Sequence, residues 1–379
     1  ISALTPPTKK HRGRMLDSLE KTLPRDSYLG DATFQKEWRA IFEQSWMCIG
    51  RASVLPEPGD YLALRLHNQS IVVVRGEESD LSAFYNVCRH RGTELVPLTQ
   101  PGPITGRFNR SIVCPYHAWS YHLDGRLRGT PHLNVDTTGV TLHSLPLAEW
   151  GGFLFAHLGD ATATPLIPAL GQGVDRLSRY PLSDLTVGDA ITYDVAANWK
   201  VILENYNECY HCGPVHPELC ELVPAFKQDG GSELNWDNGV PHRDGANTFT
   251  VSGNTTRSPF PGLNEGEKTH HKGELFYPNL MLSLSMDHVA AFTLLPQSAS
   301  RTLIHCEFLF HPDECSKPHF DSSDAVQFWD KVNQQDWAIC ESVQRGMQNK
   351  VFQHGYYGPM EDESLDIRNY VNRKLSELV

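Results

Sequence analysis

The sequence predicts an α+β protein: an all-β first half, then a second half in which an antiparallel sheet is covered by helices. Three observations lead there. From Val54 the apolar pattern has a period of two through YLALRL (61–66), SIVVVR (70–75) and LSAFYNV (81–87), short strands broken by HN and GEESD turns. LMLSLSM (280–286), HVAAFTLLPQ (288–297) and RTLIHCEFLFHP (301–312) read as an antiparallel meander. Residues 320–346 then change to helical periodicity. The length, 379 residues, suits two or three domains with a sizeable core.

In chain order, residues 1–30 are polar and proline-containing, as in an arm. Asp31 is a good N-cap for a helix to Gln44 with Phe34, Trp38, Ile41 and Phe42 as its apolar stripe. WGGFLFAHLG (150–159) reads as a buried strand closing the first domain, and 161–185 as a Pro/Ala-rich, then helical, crossing. A strand at 189–195 follows. Residues 225–275 are loop-rich, and a long irregular stretch inside a compact domain is usually a cover or binding loop. The expected division is 1–45, an N-terminal arm and helix packing on the catalytic domain, 46–158 and 159–379.

Composition is that of an ordinary globular chain, 40% hydrophobic and 21% charged, with a net charge of −12. That balance argues against a nucleic-acid or anionic-membrane partner. No apolar run reaches the roughly 18 residues of a spanning helix, and residues 1–14 lack the apolar region of a signal peptide. Nine scattered cysteines fit reduced thiols and a cytoplasmic location. Cys209-x2-Cys212 has no second CxxC and reads as a packing pair.

Two constellations carry chemistry. Cys88-Arg89-His90 is followed, after 23 intervening residues, by Cys114-Pro115-Tyr116-His117. Two thiolates and two imidazoles suit zinc, and equally a Rieske [2Fe–2S] cluster, in which two histidines replace two cysteines on one iron. The flanks favour paired cluster-gripping loops: each ligand pair sits at a strand end, and Asp124-Gly125 signals a type I′ hairpin just beyond.

The second is NWKVILENYNECYHCGPVHP (198–217). It places Glu208, His211 and His216 within nine residues. Val201, Ile202, Glu204, Asn205, Glu208 and His211 fall at helical intervals, and Gly213-Pro214 should end that helix, so that His216 returns from a loop. Two imidazoles and one carboxylate are the ligand set of a non-haem Fe(II) oxygenase, with coordination positions left open. Asp336 is the candidate third ligand. It lies on the apolar stripe Val326, Trp329, Val332, Ile339, Cys340 and Val343, where a lone carboxylate is costly unless paired or metal-bound. The capping residue expected for this helix is Asp321 or Ser322.

NVCRHRGTEL, CPYHAWSYHLDGRLRG and NWKVILENYNECYHCGPVHPEL resemble the two cluster loops and the mononuclear-iron segment of Rieske non-haem iron oxygenase α subunits, in the family's order. QQDWAICESVQRG agrees with the Asp336 assignment. The resemblance implies an all-β Rieske domain at 46–158 and a mononuclear-iron catalytic domain at 159–379. It implies that Cys88 and Cys114 hold one cluster iron, that His90 and His117 hold the other, and that His211, His216 and Asp336 hold the mononuclear iron. TQPGPITGRFNR (99–110) departs from the family as an enlarged turn between the cluster loops. In the family an acid at position 208 bridges a mononuclear-iron histidine to a cluster histidine of the neighbouring subunit and carries the electron path from that cluster, usually in a homotrimer. Most aromatic-ring members have Asp there, whereas Glu208 looks like the branch acting on carnitine, choline, glycine betaine and stachydrine.

The implied function is a terminal oxygenase component that uses O2 and supplied electrons to hydroxylate or N-demethylate a small quaternary ammonium substrate. The alternative within the family is aromatic ring hydroxylation. Outside it stand an electron-transfer Rieske protein and a zinc module, which leave the 208–216 and 336 set unexplained. Tyr206, Tyr210 and Trp236 are candidates for cation–π binding of such a substrate. The chain has no G-x-G-x-x-G after a strand, so NAD(P)H is expected to act only through a separate flavin/[2Fe–2S] reductase.

Overall fold

The computed structural model describes residues 16–159 and 164–378. The period-two segments pair into an antiparallel sheet ordered Ser144–Leu145, Leu81–Tyr85, Gln69–Arg75, Asp60–Leu66 and Ile104–Arg107. Both of its faces are covered. Ala63, Val72, Val74 and Phe84 pack towards Cys88 and Cys114, while Leu62, Leu64, Ile71 and Val73 join the main core. A smaller sheet, Ile112–Val113, Ser120–Tyr121 and Leu127–Gly129, supports the second cysteine loop.

Several boundaries differ from the sequence expectation. The 99–110 stretch is not only a turn, because Ile104–Arg107 pairs with Asp60–Leu66. At Asp124-Gly125 only Gly125 has positive φ, so the turn is type I followed by a left-handed glycine rather than type I′. WGGFLFAHLG is a hairpin, with Leu147–Trp150 and Phe153–His157 joined at Gly151 and Gly152. A Cβ on Gly152 would come 2.5 Å from the buried Arg51 guanidinium. That guanidinium donates to the carbonyls of Gly151, Leu182 and Leu185. Positions 16–30 hold a short strand, Glu20–Lys21, and a helix, Arg25–Leu29; the remainder of the expected arm, 1–15, lies outside the described residues. Asp31 is the first helical residue, not the cap, which is Gly30.

The second half is built on a six-stranded antiparallel sheet ordered Thr186–Val195, Arg301–Phe310, His288–Ser298, Leu280–Leu284, His270–Phe276 and Val240–Pro241. The expected meander forms its centre. Helices Trp199–Tyr206, Ser323–Met347 and Asp362–Ser376 pack on it. Asn279 joins the halves, exchanging 2.9 Å hydrogen bonds with both backbone groups of Cys48. The N-terminal helices dock beside the iron segment, where Lys200 and Glu37 form a fully buried 2.8 Å ion pair.

Candidate metal centres

The 198–217 segment is not one helix. Asn198 caps Trp199–Tyr206 through its side chain, which accepts from the Lys200 N–H. The helix stops at Asn207. One turn, Cys212–Val215, then contains the Gly213-Pro214 expected to be a terminator, and Pro217–Leu222 begins with proline at its first position. The break frees Glu208. Its Oε2 accepts from the His211 N–H at 3.0 Å while Oε1 lies 2.6 Å from His211 Nδ1. His216 sits between the two short helices, 1% exposed, with Nδ1 2.8 Å from Gln335 Oε1. Its other nitrogen, Nε2, is thereby turned to the cavity.

Asp336 reaches the same point from the Ser323–Met347 helix. Its buried stripe runs through Ala325, Trp329, Val332, Cys340, Gln344 and Met347, with Asp336 between Val332 and Cys340. Ile339 and Val343, assigned to that stripe from sequence, are instead exposed. Ser322 occupies the cap position without a side-chain capping bond, while the carboxylate of the preceding Asp321 accepts from the Ser323 N–H.

Three donor atoms converge. His211 Nε2 lies 3.2 Å from His216 Nε2 and 3.2 Å from Asp336 Oδ1, and His216 Nε2 lies 2.8 Å from Asp336 Oδ1. Ligands at about 2.1 Å on perpendicular bonds stand about 3.0 Å apart, so the spacing fits one metal ion held on one face. The electrostatics agree. Burial opposes charge on His211, yet hydrogen bonds to Asp336 and Glu208 outweigh it and push the imidazole up to about 11. Burial likewise raises the Asp336 carboxyl, and the two imidazoles reverse this to leave it below its usual range. The site is arranged for a cation.

The cluster loops fit a different group. Cys88 and Cys114 are 2% and 3% exposed, whereas His90 and His117 are exposed side by side with ring centroids 4.8 Å apart. His90 stacks on Trp119 at 4.7 Å, and Tyr121 Oη lies 3.2 Å from Cys88 Sγ. Each loop closes on itself: Gly92 N–H donates to the Cys88 carbonyl and Ala118 N–H to that of Cys114. A buried thiol pair beside an exposed imidazole pair suits a two-iron cluster with one iron inside and one at the surface.

Above the mononuclear site lies a cavity of about 320 Å³. Tyr206 and Trp236 line it, as do Phe226, His271 and Trp329; Tyr210 does not, and is 55% exposed. Sequence reading missed Gln335, which orients His216, and Asn205, whose Nδ2 lies 3.3 Å from His211 Nε2. Both have polar amides directly adjacent to assigned positions, or within the same motif, which is the one signal that could have found them. Cys209 and Cys212 are buried with their sulfurs 2.7 Å apart; burial holds the Cys209 thiol above its usual range against the contact with Cys212, whereas that contact and burial together raise Cys212.

Comparison with known proteins places these features in context. Residues 182–377, more than half of the chain, match the ring hydroxylating alpha subunit (catalytic domain), and residues 45–146 match the Rieske [2Fe-2S] domain. The chain is 32% identical over 347 residues to the carnitine monooxygenase oxygenase subunit of Acinetobacter baumannii, spanning 89% of this chain and 87% of that protein. It is 29% identical over 390 residues to the glycine betaine monooxygenase oxygenase subunit of Pseudomonas aeruginosa, spanning 93% and 88%. The solved structure of the quaternary ammonium Rieske monooxygenase CntA with L-carnitine superposes with a TM-score of 0.74 at 26% identity, over 94% of this chain and 96% of that one.

Proposed function

The chain belongs to the family of ring-hydroxylating oxygenase α subunits with a Rieske [2Fe–2S] domain, and we propose that it is the terminal oxygenase component of a quaternary ammonium monooxygenase or N-demethylase. The observation that carries this is the donor triad, within 2.8–3.2 Å, at the floor of an aromatic-lined cavity. His211, His216 and Asp336 would hold Fe(II); Cys88, His90, Cys114 and His117 would hold the cluster. Bound there, the iron supplies the open coordination positions at which O2 is activated.

The chain's own residues do the rest. Glu208 fixes the His211 tautomer and would pass electrons from the cluster of a neighbouring protomer, in a homotrimer fed by a separate flavin/[2Fe–2S] reductase. Gln335 orients His216. The faces of Tyr206, Phe226, Trp236 and Trp329 favour a permanent cation. Hydroxylation of an N-methyl carbon consumes O2, two electrons and two protons, and releases water. The resulting hemiaminal collapses to formaldehyde, a proton and the demethylated amine. The division at 46–158 and 159–379 separates electron storage from oxygen chemistry, and the scattered thiols support a reducing, cytoplasmic setting.

The test is turnover on glycine betaine, stachydrine, choline and carnitine with a reductase, scoring formaldehyde against O2 consumed. Stoichiometric formaldehyde is the expected result; cis-diol or phenol formation from aromatic compounds, with none from these amines, would overturn it.

A further inference from the structure

Behind the cavity wall lies a buried polar chain that the proposed oxygen chemistry does not use. Trp329 lines the cavity at 5% exposure, and its indole Nε1 donates to His288 Nε2 at 3.1 Å. His288 Nδ1 lies 3.0 Å from Asp287 Oδ1, and Asp287 Oδ2 accepts from Arg257 Nε at 2.8 Å. Thr248 Oγ1 also donates to Asp287, and Arg257 is held in turn by Asp324 at 2.8 Å. The tautomer follows. With its Nδ1–H given to a carboxylate, His288 keeps Nε2 as the acceptor that the indole N–H needs. Burial opposes charge on Asp287, but His288, Arg257 and Thr248 outweigh it and hold the carboxyl below its usual range.

Packing alone does not call for this chain. Two other buried indoles, Trp38 and Trp337, have no partner for Nε1 among the described residues. A buried carboxylate–guanidinium pair is also a poor source of net stability. The position of Trp329 supplies the reason. Trp329, Val332 and Asp336 follow one another at three and four residues on Ser323–Met347, and all line the cavity. The wall thus runs two helical turns, about 10 Å, from the indole to the donor triad. Neighbouring rings meet Trp329 at 46–84°, whereas Trp236 stacks on Phe226 at 28°.

We infer that Trp329 is the face that binds the substrate's quaternary ammonium, and that His288, fixed by Asp287, is the residue that positions it. This rests on the quaternary ammonium reading and deepens it. The hydrogen bond locks the rotation of the indole. It also draws the N–H proton towards an acceptor that a carboxylate already polarises, which enriches the ring in electrons. Both effects strengthen attraction for a cation and do little for a neutral group of the same shape.

The test separates charge from shape. Glycine betaine, choline and carnitine are titrated calorimetrically into the holoenzyme, each beside its isostere with carbon in place of nitrogen, as 3,3-dimethylbutanoate is for glycine betaine. The pair whose cation binds most tightly is carried forward. His288→Phe should cut the preference for cation over isostere about fivefold, and Trp329→Phe about tenfold. In the Trp329→Phe background, which has no indole N–H, His288→Phe should leave that preference within about twofold. Asp287→Asn keeps the side chain's size, should lower the preference in the same direction, and stands in should His288→Phe fail to fold. If the preference is unchanged in these variants, or falls as far without the indole as with it, His288 is structural only. The inference then fails while the quaternary ammonium reading stands. If the unaltered holoenzyme prefers none of the cations to its isostere, that reading itself fails.

Discussion

The proposed cluster loops and the proposed mononuclear centre would use the same imidazole ligand in opposite ways. His90 and His117 stand exposed on two self-closed loops, backed by buried thiols. His211 and His216 point inward from the ends of short helices, and each has its second nitrogen occupied, by Glu208 and Gln335 respectively. An electron carrier works best near a surface, where transfer distances to a partner are short. An oxygen-activating site needs oriented ligands, a defined set of open positions and little bulk water. The difference therefore lies less in the ligands than in what holds their far sides.

The sharpest way to break that contrast is to remove one centre at a time. Asp336→Ala should abolish turnover and mononuclear iron while visible cluster absorption persists; Cys88→Ser should do the reverse, losing colour but retaining one iron per chain by elemental analysis. Mixed oligomers of the two variants should regain activity if electrons cross between protomers. Next in size is Glu208→Gln, expected to slow turnover about 100-fold at unchanged iron content, as removal of a partner behind a ligating histidine does. If reduced cluster still re-oxidises at the parental rate on adding O2 and substrate, Glu208 is no bridge.

A smaller effect is expected for Gln335→Leu, about tenfold weaker iron binding measured by competition with a chelator. Iron affinity of the apoprotein should also rise about tenfold per pH unit between pH 7 and 9, because one proton leaves His211 on loading. The sign follows from the raised imidazole: at about 11 it is still protonated throughout this window. A flat profile would mean that no proton is displaced.

The smallest expected change concerns stability. Burial pushes the Glu307 carboxyl up to about 7, with Arg51 opposing, and its Oε2 lacks a partner. A raised native carboxyl means the folded state binds more protons, so stability falls as pH rises from the unfolded value near 4.5 through 7. Glu307→Gln should flatten that decline, by on the order of 1 kcal/mol per pH unit, in urea titrations.

The candidate ligands His211, His216 and Asp336, which the fold brings together, could be proposed from sequence because metal chemistry restricts residue type, and residue type is what a sequence displays. Asp336 could be singled out because a carboxylate on an apolar stripe demands compensation, which the structure supplies through His211 and His216. The path of the backbone was less legible. The Trp199–Tyr206 helix ends before Glu208, whose carboxylate accepts from the His211 N–H three residues on, a local side-chain contact that competes with helix propensity and carries no periodic signature. Gly151 and Gly152, both at positive φ, split an apparently continuous strand, and a distant arginine, Arg51, occupies the space a Cβ on Gly152 would fill. The charged part of the cavity lining was invisible because Arg176, Glu274 and Glu363 come from three separated elements and converge only in the folded chain.

His216 and Asp336 meet across 120 residues of sequence. A nascent chain in which the Ser323–Met347 helix has not yet emerged would carry only two of the three donors. Loading of the proposed centre would then wait until most of the catalytic half has been made.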